Sequence, residues 1–166
     1  GKAIPKNNWK DSDVEAHWDK VASIYVKENE RVKDTHDQRF VITMKLMELG
    51  PKMKVLNISS RDGEARDYIE REQADCVVRN AEISAGLMKV AGELRPGIRQ
   101  VKLETYSALP FADGAFDRIL SLETLEHVAE PLSFLKELHR VSTPDAILVL
   151  TCPPATSEIP YRIYTA

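Results

Sequence analysis

Only two cysteines occur, Cys76 and Cys152, and neither stands in the Cys-x-x-Cys or Cys/His spacing that a metal or redox site requires. No metal ligand set is expected, and both cysteines, each inside a predicted buried strand, read as buried free thiols. No apolar stretch approaches the roughly 20 residues needed to cross a bilayer. The lysine-bearing start Gly1-Lys2-Ala3-Ile4-Pro5 is followed by no signal-like apolar segment. The chain therefore reads as cytosolic. Lys and Arg are scattered and the formal net charge is -3, which argues against nucleic acid or an anionic membrane as the main partner. Glycine is scarce at one decisive place, the turn Ser59-Ser60-Arg61-Asp62-Gly63, where only Gly63 is a glycine.

What is present is an ordinary globular composition: 166 residues, 43% apolar and 30% charged, enough for one domain with a sizeable core. Residues 1–10 carry no pattern and read as a tag remnant or a loose arm. Ser12 with Glu15 fits a capping box, and Val14, Trp18, Val21 and Tyr25 follow at helical spacing. After the charged run from Lys27 to Lys33, a second helix places Phe40, Met44 and Met47 on one face and stops at Gly50-Pro51. Residues 1–51 are thus read as an arm and two helices, and residues 52–166 as the α/β core.

From Lys52 strands and helices alternate. Strands are predicted over 53–58, 75–81 (ending at Glu82), 99–103, 116–122 and 146–151, with helices over 62–72, 84–94 and 131–141, the last turning Phe134, Leu135 and Leu138 inward. Parallel neighbours need crossover connections, so five strands separated by helices predict a doubly wound, mostly parallel, Rossmann-like α/β sheet. In such sheets a ligand binds where the first strand hands over to the first helix, whose free N–H groups and dipole favour an anionic group. That place is the turn after Ile58. Glu82 follows about 20 residues on, the spacing at which an acidic side chain accepts hydrogen bonds from ribose hydroxyls.

Downstream stand Leu109-Pro110-Phe111-Ala112-Asp113-Gly114-Ala115-Phe116-Asp117, Leu125-Glu126-His127-Val128, Leu135-Lys136-Glu137-Leu138-His139-Arg140-Val141 and Leu148-Val149-Leu150-Thr151-Cys152-Pro153-Pro154. In their order and spacing these segments resemble the class I S-adenosylmethionine (SAM) dependent methyltransferases, in the small-molecule branch that includes quinone-biosynthesis enzymes. The resemblance covers roughly residues 13–154. It implies SAM as cofactor, a small-molecule substrate and methyl transfer as the reaction. It also implies that Ser59, Ser60, Arg61 and Gly63, with Asn57 before them, form the loop around the methionine part. Glu82 then binds the ribose, Ile83 lies against the adenine, Thr105 and Tyr106 border it with Glu104 as a substitute acid, and Leu122 and Glu123 end strand four near the methyl-bearing end. His127, near the substrate side, is either the general base for an acceptor that must lose a proton or a residue that orders its turn. Tyr25 either closes over the cofactor or packs in the core, and His17, His36 and His139 read as surface or helix-packing residues.

The chain departs from the family pattern in two respects. Asn57 replaces an acid, and Ser59 and Arg61 replace two glycines where backbone normally passes close to the ligand. The family also continues beyond strand five with a helix and an antiparallel strand pair, whereas this chain ends at Ala166. A shortened chain, or a homo-oligomer or other partner covering the strand-five edge, is expected. The alternatives to an active methyltransferase are a degenerate, non-catalytic binding or scaffold module of the same fold and a nicotinamide-dependent dehydrogenase. The dehydrogenase also lacks its glycine turn here.

Overall fold

Strand β1 (Lys54–Ile58) sends Val55 to one face of a sheet and Leu56 and Ile58 to the other, and all three are fully buried, as a central strand covered on both sides must be. In the computed structural model, which describes residues 8–152, β1 lies between β2 (Val77–Glu82) and β4 (Phe116–Leu122). With β3 (Gln100–Lys102) and β5 (Ser142–Thr151) they make one sheet of order β3-β2-β1-β4-β5, every pair parallel. The doubly wound reading of the sequence therefore holds.

Five helices surround the sheet: α1 (Asp11–Glu30), α2 (Lys33–Met47), α3 (Glu64–Glu72), α4 (Ala85–Leu94) and α5 (Pro131–Val141). On one face Leu56, Ile58 and Ile119 pack with Phe134, Leu138 and Val141 of α5 and with Val14 of α1. On the other, Val55, Val78 and Leu120 pack with Phe40, Met44 and Met47 of α2 and with Ala65 and Ile69 of α3. The strand period of two and the helix stripe at i, i+4 and i+7 thus produce three layers with two cores. α1 also lies close against α4, where Asp19 accepts hydrogen bonds from the Ser84 hydroxyl at 2.5 Å and the Gly86 N–H at 2.9 Å. Among the described residues no helix is long and apolar enough to cross a membrane.

Several expectations fail locally, each for a physical reason. α1 begins at Asp11 rather than Ser12, because the Lys10 N–H donates to the Asp13 carboxylate at 2.8 Å and the Ser12/Glu15 box does not form. Trp9 is no part of a loose arm: it packs against the core and its ring lies 5.7 Å from that of His17. α2 stops at Met47, before Gly50-Pro51, with Glu48 in the left-handed region at φ 47°. Cys76 precedes β2 and is half-buried, and Cys152 lies exposed beyond the end of β5, so neither is a buried strand thiol. Leu135 is 37% exposed, since it sits one residue off the inward stripe of Phe134, Leu138 and Val141. β5 begins four residues before Ala146: Ser142 pairs with Phe116, and regular pairing resumes only where Ile147 meets Arg118. Residues 161–164 and Ala166, on which the expectation of a shortened chain falls, lie outside the described residues. Among those described, β5 pairs with β4 alone and Leu148 is 41% exposed.

The α2 stop depends on a residue distant in sequence. Arg118, buried on β4, donates from Nε to the Met47 carbonyl at 2.5 Å and from Nη2 to the Glu48 carbonyl at 3.1 Å, satisfying carbonyls that a helix end leaves open. Hydrogen bonds from a charged group contribute about 1.5–3 kcal/mol, and stranding the buried carbonyls adds to the loss. Arg118→Ala is therefore expected to destabilise the fold by about 3 kcal/mol in urea unfolding. A change below about 0.5 kcal/mol would sink this account of the helix end.

Candidate functional site

At the C-terminal edge of the sheet two turns meet, one after β1 and one after β2. In the first, Ser59, Arg61 and Gly63 all take left-handed backbone angles, with φ of 56°, 52° and 81°. A non-glycine residue pays about 1 kcal/mol for that setting, so Ser59 and Arg61 keep the geometry of glycines without being glycines. Gly63 is favoured by its angle, and a Cβ there would stand 2.3 Å from Ile98 Cδ1, the end of a side chain that would have to turn aside. Arg95 anchors the turn from outside, donating to the Asp62 carbonyl at 2.8 Å and the Asp67 carboxylate at 2.9 Å.

The turns are joined by Glu82, which is 1% exposed. Its Oε2 accepts the Arg61 N–H at 2.7 Å, and its Oε1 accepts the N–H groups of Ile83 at 2.8 Å and Ser84 at 3.0 Å. Burial pushes the Glu82 carboxyl above its usual range, while the Ser84 and Arg61 N–H groups, the Arg61 charge and the Ile83 N–H pull it back. Beside it the Tyr106 and Ser59 hydroxyls lie 2.9 Å apart, and Tyr106 is buried. Asp11 at the start of α1 fixes the neighbouring loops, accepting from the Thr105 hydroxyl at 2.6 Å, the Tyr106 N–H at 2.8 Å and the Ala129 N–H at 3.2 Å.

The Arg61 side chain runs inward across this edge. Its guanidinium lies 4.1 Å from the Trp18 ring centroid, and Nη2 donates to the Glu123 carbonyl at 3.1 Å. It borders two small cavities. One, of about 40 Å³, is lined by residues of the β1 turn with Asn57, Leu122 and Glu123 and with Tyr25, His36, Arg39 and Phe40 of the first two helices. The other, of about 10 Å³, is bordered by Trp18, Ser59, Glu82, Tyr106, Glu123 and His127. One ordered water needs about 10–15 Å³ of such space, so the pair holds a few waters with Arg61 in this position. Asn57 donates to Asn80 on the neighbouring strand at 3.0 Å, and Glu123, itself left-handed at φ 49°, pairs with Arg39 at 2.6 Å.

The sequence-predicted residues thus divide. Asn57, Ser59, Ser60, Arg61, Glu82, Tyr106, Leu122 and His127 line one or both cavities. Gly63, Ile83 and Thr105 line neither: Gly63 packs on Ile98, Ile83 is buried in the core, and Thr105 is bound to Asp11. Asp11, His36 and Arg39 were missed as site residues, whereas Glu123, which with Leu122 was expected near the methyl-bearing end, lines both cavities. Trp18 was read only as core. Asp11 had a signal, an acidic residue in the first turn of a helix, but Arg39 and Glu123 meet only through the fold. Among the described residues no group of three or more His, Cys, Asp or Glu side chains could hold a metal ion.

With this geometry in hand, comparison with known proteins gives a family. The methyltransferase domain family model matches residues 56–150. The chain belongs to the methyltransferase domain family. The match weighs against the non-catalytic scaffold and dehydrogenase alternatives. Among curated relatives, demethylmenaquinone methyltransferase of Renibacterium salmoninarum is 31% identical over 116 residues, 69% of this chain and 48% of that protein. The enzyme of the same name from Paenarthrobacter aurescens is 29% identical over 83% of this chain and 54% of its own length. The chain therefore spans about half the length of these relatives. Among solved structures, a SAM dependent methyltransferase from Aquifex aeolicus aligns with a TM-score of 0.61 at 22% identity, covering 76% of this chain and 77% of that one. The 4+2 cyclase SpnF aligns with a TM-score of 0.77 at 17% identity over 90% and 62%. Both structural likenesses speak to the class I methyltransferase fold.

In this methyltransferase-family chain His127 sits beside Trp18, with ring centroids 6.1 Å apart. Burial, with the Arg61 and His17 charges, brings its pKa down to about 4. The imidazole is thus neutral near pH 7. Unfolded, it takes up a proton near pH 6.5, whereas folded it resists until about pH 4. The stability this contributes is complete above pH 6.5 and is lost as the pH falls toward 4, with an upper size of about 3 kcal/mol. NMR titration of the folded protein should give a His127 midpoint near 4, and a midpoint above 6 would contradict the buried, cation-faced environment described here.

Proposed function

We propose that this chain forms the SAM-binding part of a methyltransferase acting on a small-molecule acceptor. The observation that carries the reading is Glu82, a buried carboxylate at the end of β2 that ties the β2 turn to the left-handed β1 turn in a chain of the methyltransferase domain family. Position on the sheet and family membership point to the same edge.

The donor set fits SAM. Glu82 offers an acceptor suited to vicinal ribose hydroxyls. The Ser60 hydroxyl, buried without a hydrogen-bond partner at the β1 turn, has capacity left for a ligand. Arg39 and Arg61 supply positive charge for a carboxylate. Room for the whole cofactor requires the Arg61 head to leave its place over Trp18. When bound, SAM supplies a methyl group on a sulfonium, an electrophile that needs an aligned acceptor more than a protein reactive group. In this reading Ser59, Ser60, Arg61 and Gly63, beside Asn57, form the loop around the amino-acid portion, Tyr106 and Thr105 border the nucleoside, Ile83 backs it from the core, and Leu122 stands near the reacting end.

His127 belongs to the acceptor side. Its depressed pKa makes it a hydrogen-bonding neutral imidazole and a weak base, suited to orienting an acceptor more than to stripping a strongly held proton. Trp18, Tyr25 and Arg39 close the site from the N-terminal helices. The demethylmenaquinone methyltransferase relatives favour an aromatic acceptor as the first class to screen.

Calorimetric titration with S-adenosylhomocysteine should give saturable binding. Glu82→Gln, which removes the charge, should weaken it by about tenfold or more, with near-UV circular dichroism checking that the fold persists. Absence of both heat and thermal shift at ~1 mM ligand would overturn the reading.

A further inference from the structure

Arg61 stands where the family pattern has a glycine, and its position has a consequence for which ligands enter. We infer that Arg61 is a specificity-determining residue: its guanidinium fills the site and yields to a ligand that brings a carboxylate, so that the amino-acid tail rather than the nucleoside gains admission. The inference rests on the SAM-binding reading above.

Three observations carry it. First, Arg61 lines both the cavity bordered by Glu82 and the cavity bordered by the β1 turn, so a ligand spanning both meets its side chain. Second, its guanidinium contacts are one donated hydrogen bond to the Glu123 carbonyl and the face of Trp18, while the Glu82 and Glu123 carboxylates act on its charge only from beyond ion-pair distance. A bidentate carboxylate replaces those contacts with stronger ones, whereas a neutral nucleoside displaces the cation and offers it nothing. Third, the larger cavity is already provisioned for a carboxylate. Arg39 Nε and Ser60 Oγ are buried without hydrogen-bond partners, and both residues line that cavity. Arg39 is held there through Nη1, one of its two terminal nitrogens, which pairs with Glu123 at 2.6 Å. Glu64 borders the same space and complements the ammonium of a zwitterionic tail, while the neighbouring Asp62 is engaged with Arg95.

The test compares S-adenosylhomocysteine with 5′-methylthioadenosine, which keeps the nucleoside and the thioether but has no amino-acid tail. Calorimetry on the wild-type chain should show the first binding at least tenfold more tightly. Arg61→Gly fits the φ of 52° without strain and should collapse that ratio by about tenfold, chiefly by admitting methylthioadenosine. Arg61→Gln, which keeps bulk and loses charge, should lower the ratio by weakening S-adenosylhomocysteine. Arg39→Gln should weaken S-adenosylhomocysteine severalfold and leave methylthioadenosine unchanged. If S-adenosylhomocysteine binds but the ratio is the same in wild type and Arg61→Gly, the specificity role is wrong and the SAM-binding reading stands. If neither ligand binds any of these proteins, the SAM-binding reading fails and this inference with it.

Discussion

A single carboxylate holds the functional edge together. Glu82 is buried at the end of β2, and its two oxygens accept N–H groups from both its own turn and the turn after β1. The turn after β1 presents the Arg61 N–H with Ser59, Arg61 and Gly63 at left-handed angles, two of them at a cost to non-glycine residues. Such strain persists where surrounding structure over-determines it. Here the surrounding structure is Glu82 on one side, the Ser59–Tyr106 hydroxyl pair beside it and the Arg95 anchor on Asp62 outside.

The segments that carry the family likeness turn out to be mainly structural. Leu109 is buried, Phe111 packs edge-on to Phe116 with centroids 5.0 Å apart, and Gly114 takes a positive φ of 61°. Asp113 pairs with Arg140 of α5 at 2.7 Å. Glu137 receives the Leu109 N–H at 2.7 Å, and Asp117 receives the Lys54 N–H at 2.8 Å. One motif therefore latches onto another across β4 and α5, and the candidate site residues lie on the turns that this frame positions. The same fold is shared by a methyltransferase and a cyclase among its structural neighbours, as expected when chemistry resides in the turns rather than the frame.

The alternation of five parallel strands with helices was legible because it follows from periodicity and connection, and the expectation of a ligand turn after β1 follows from that topology. The lateral order β3-β2-β1-β4-β5 was not read from the sequence. Boundaries set by distant partners were not legible. α2 ends where Arg118, 71 residues away in sequence, donates to its last carbonyls, and no local stop residue at Gly50 competes with that. Cys76 and Cys152 fell outside the strands for a similar reason, since pairing rather than apolar character decides where a strand begins and ends. At the site, Arg61 was recognisable as an anomaly, but its inward course over Trp18 was not. Neither was the Arg39–Glu123 pair, which joins α2 to the end of β4 and has no spacing signature.

Two turns joined by Glu82 thus form the edge proposed to take the cofactor, with the chain's own Arg61 lying across it. The most direct test is a crystal structure grown with S-adenosylhomocysteine. The account predicts ribose hydroxyls on the Glu82 carboxylate and the Arg61 guanidinium turned away from Trp18 toward the ligand's carboxylate. A ligand bound elsewhere on the sheet, with Arg61 still stacked on Trp18, would contradict it.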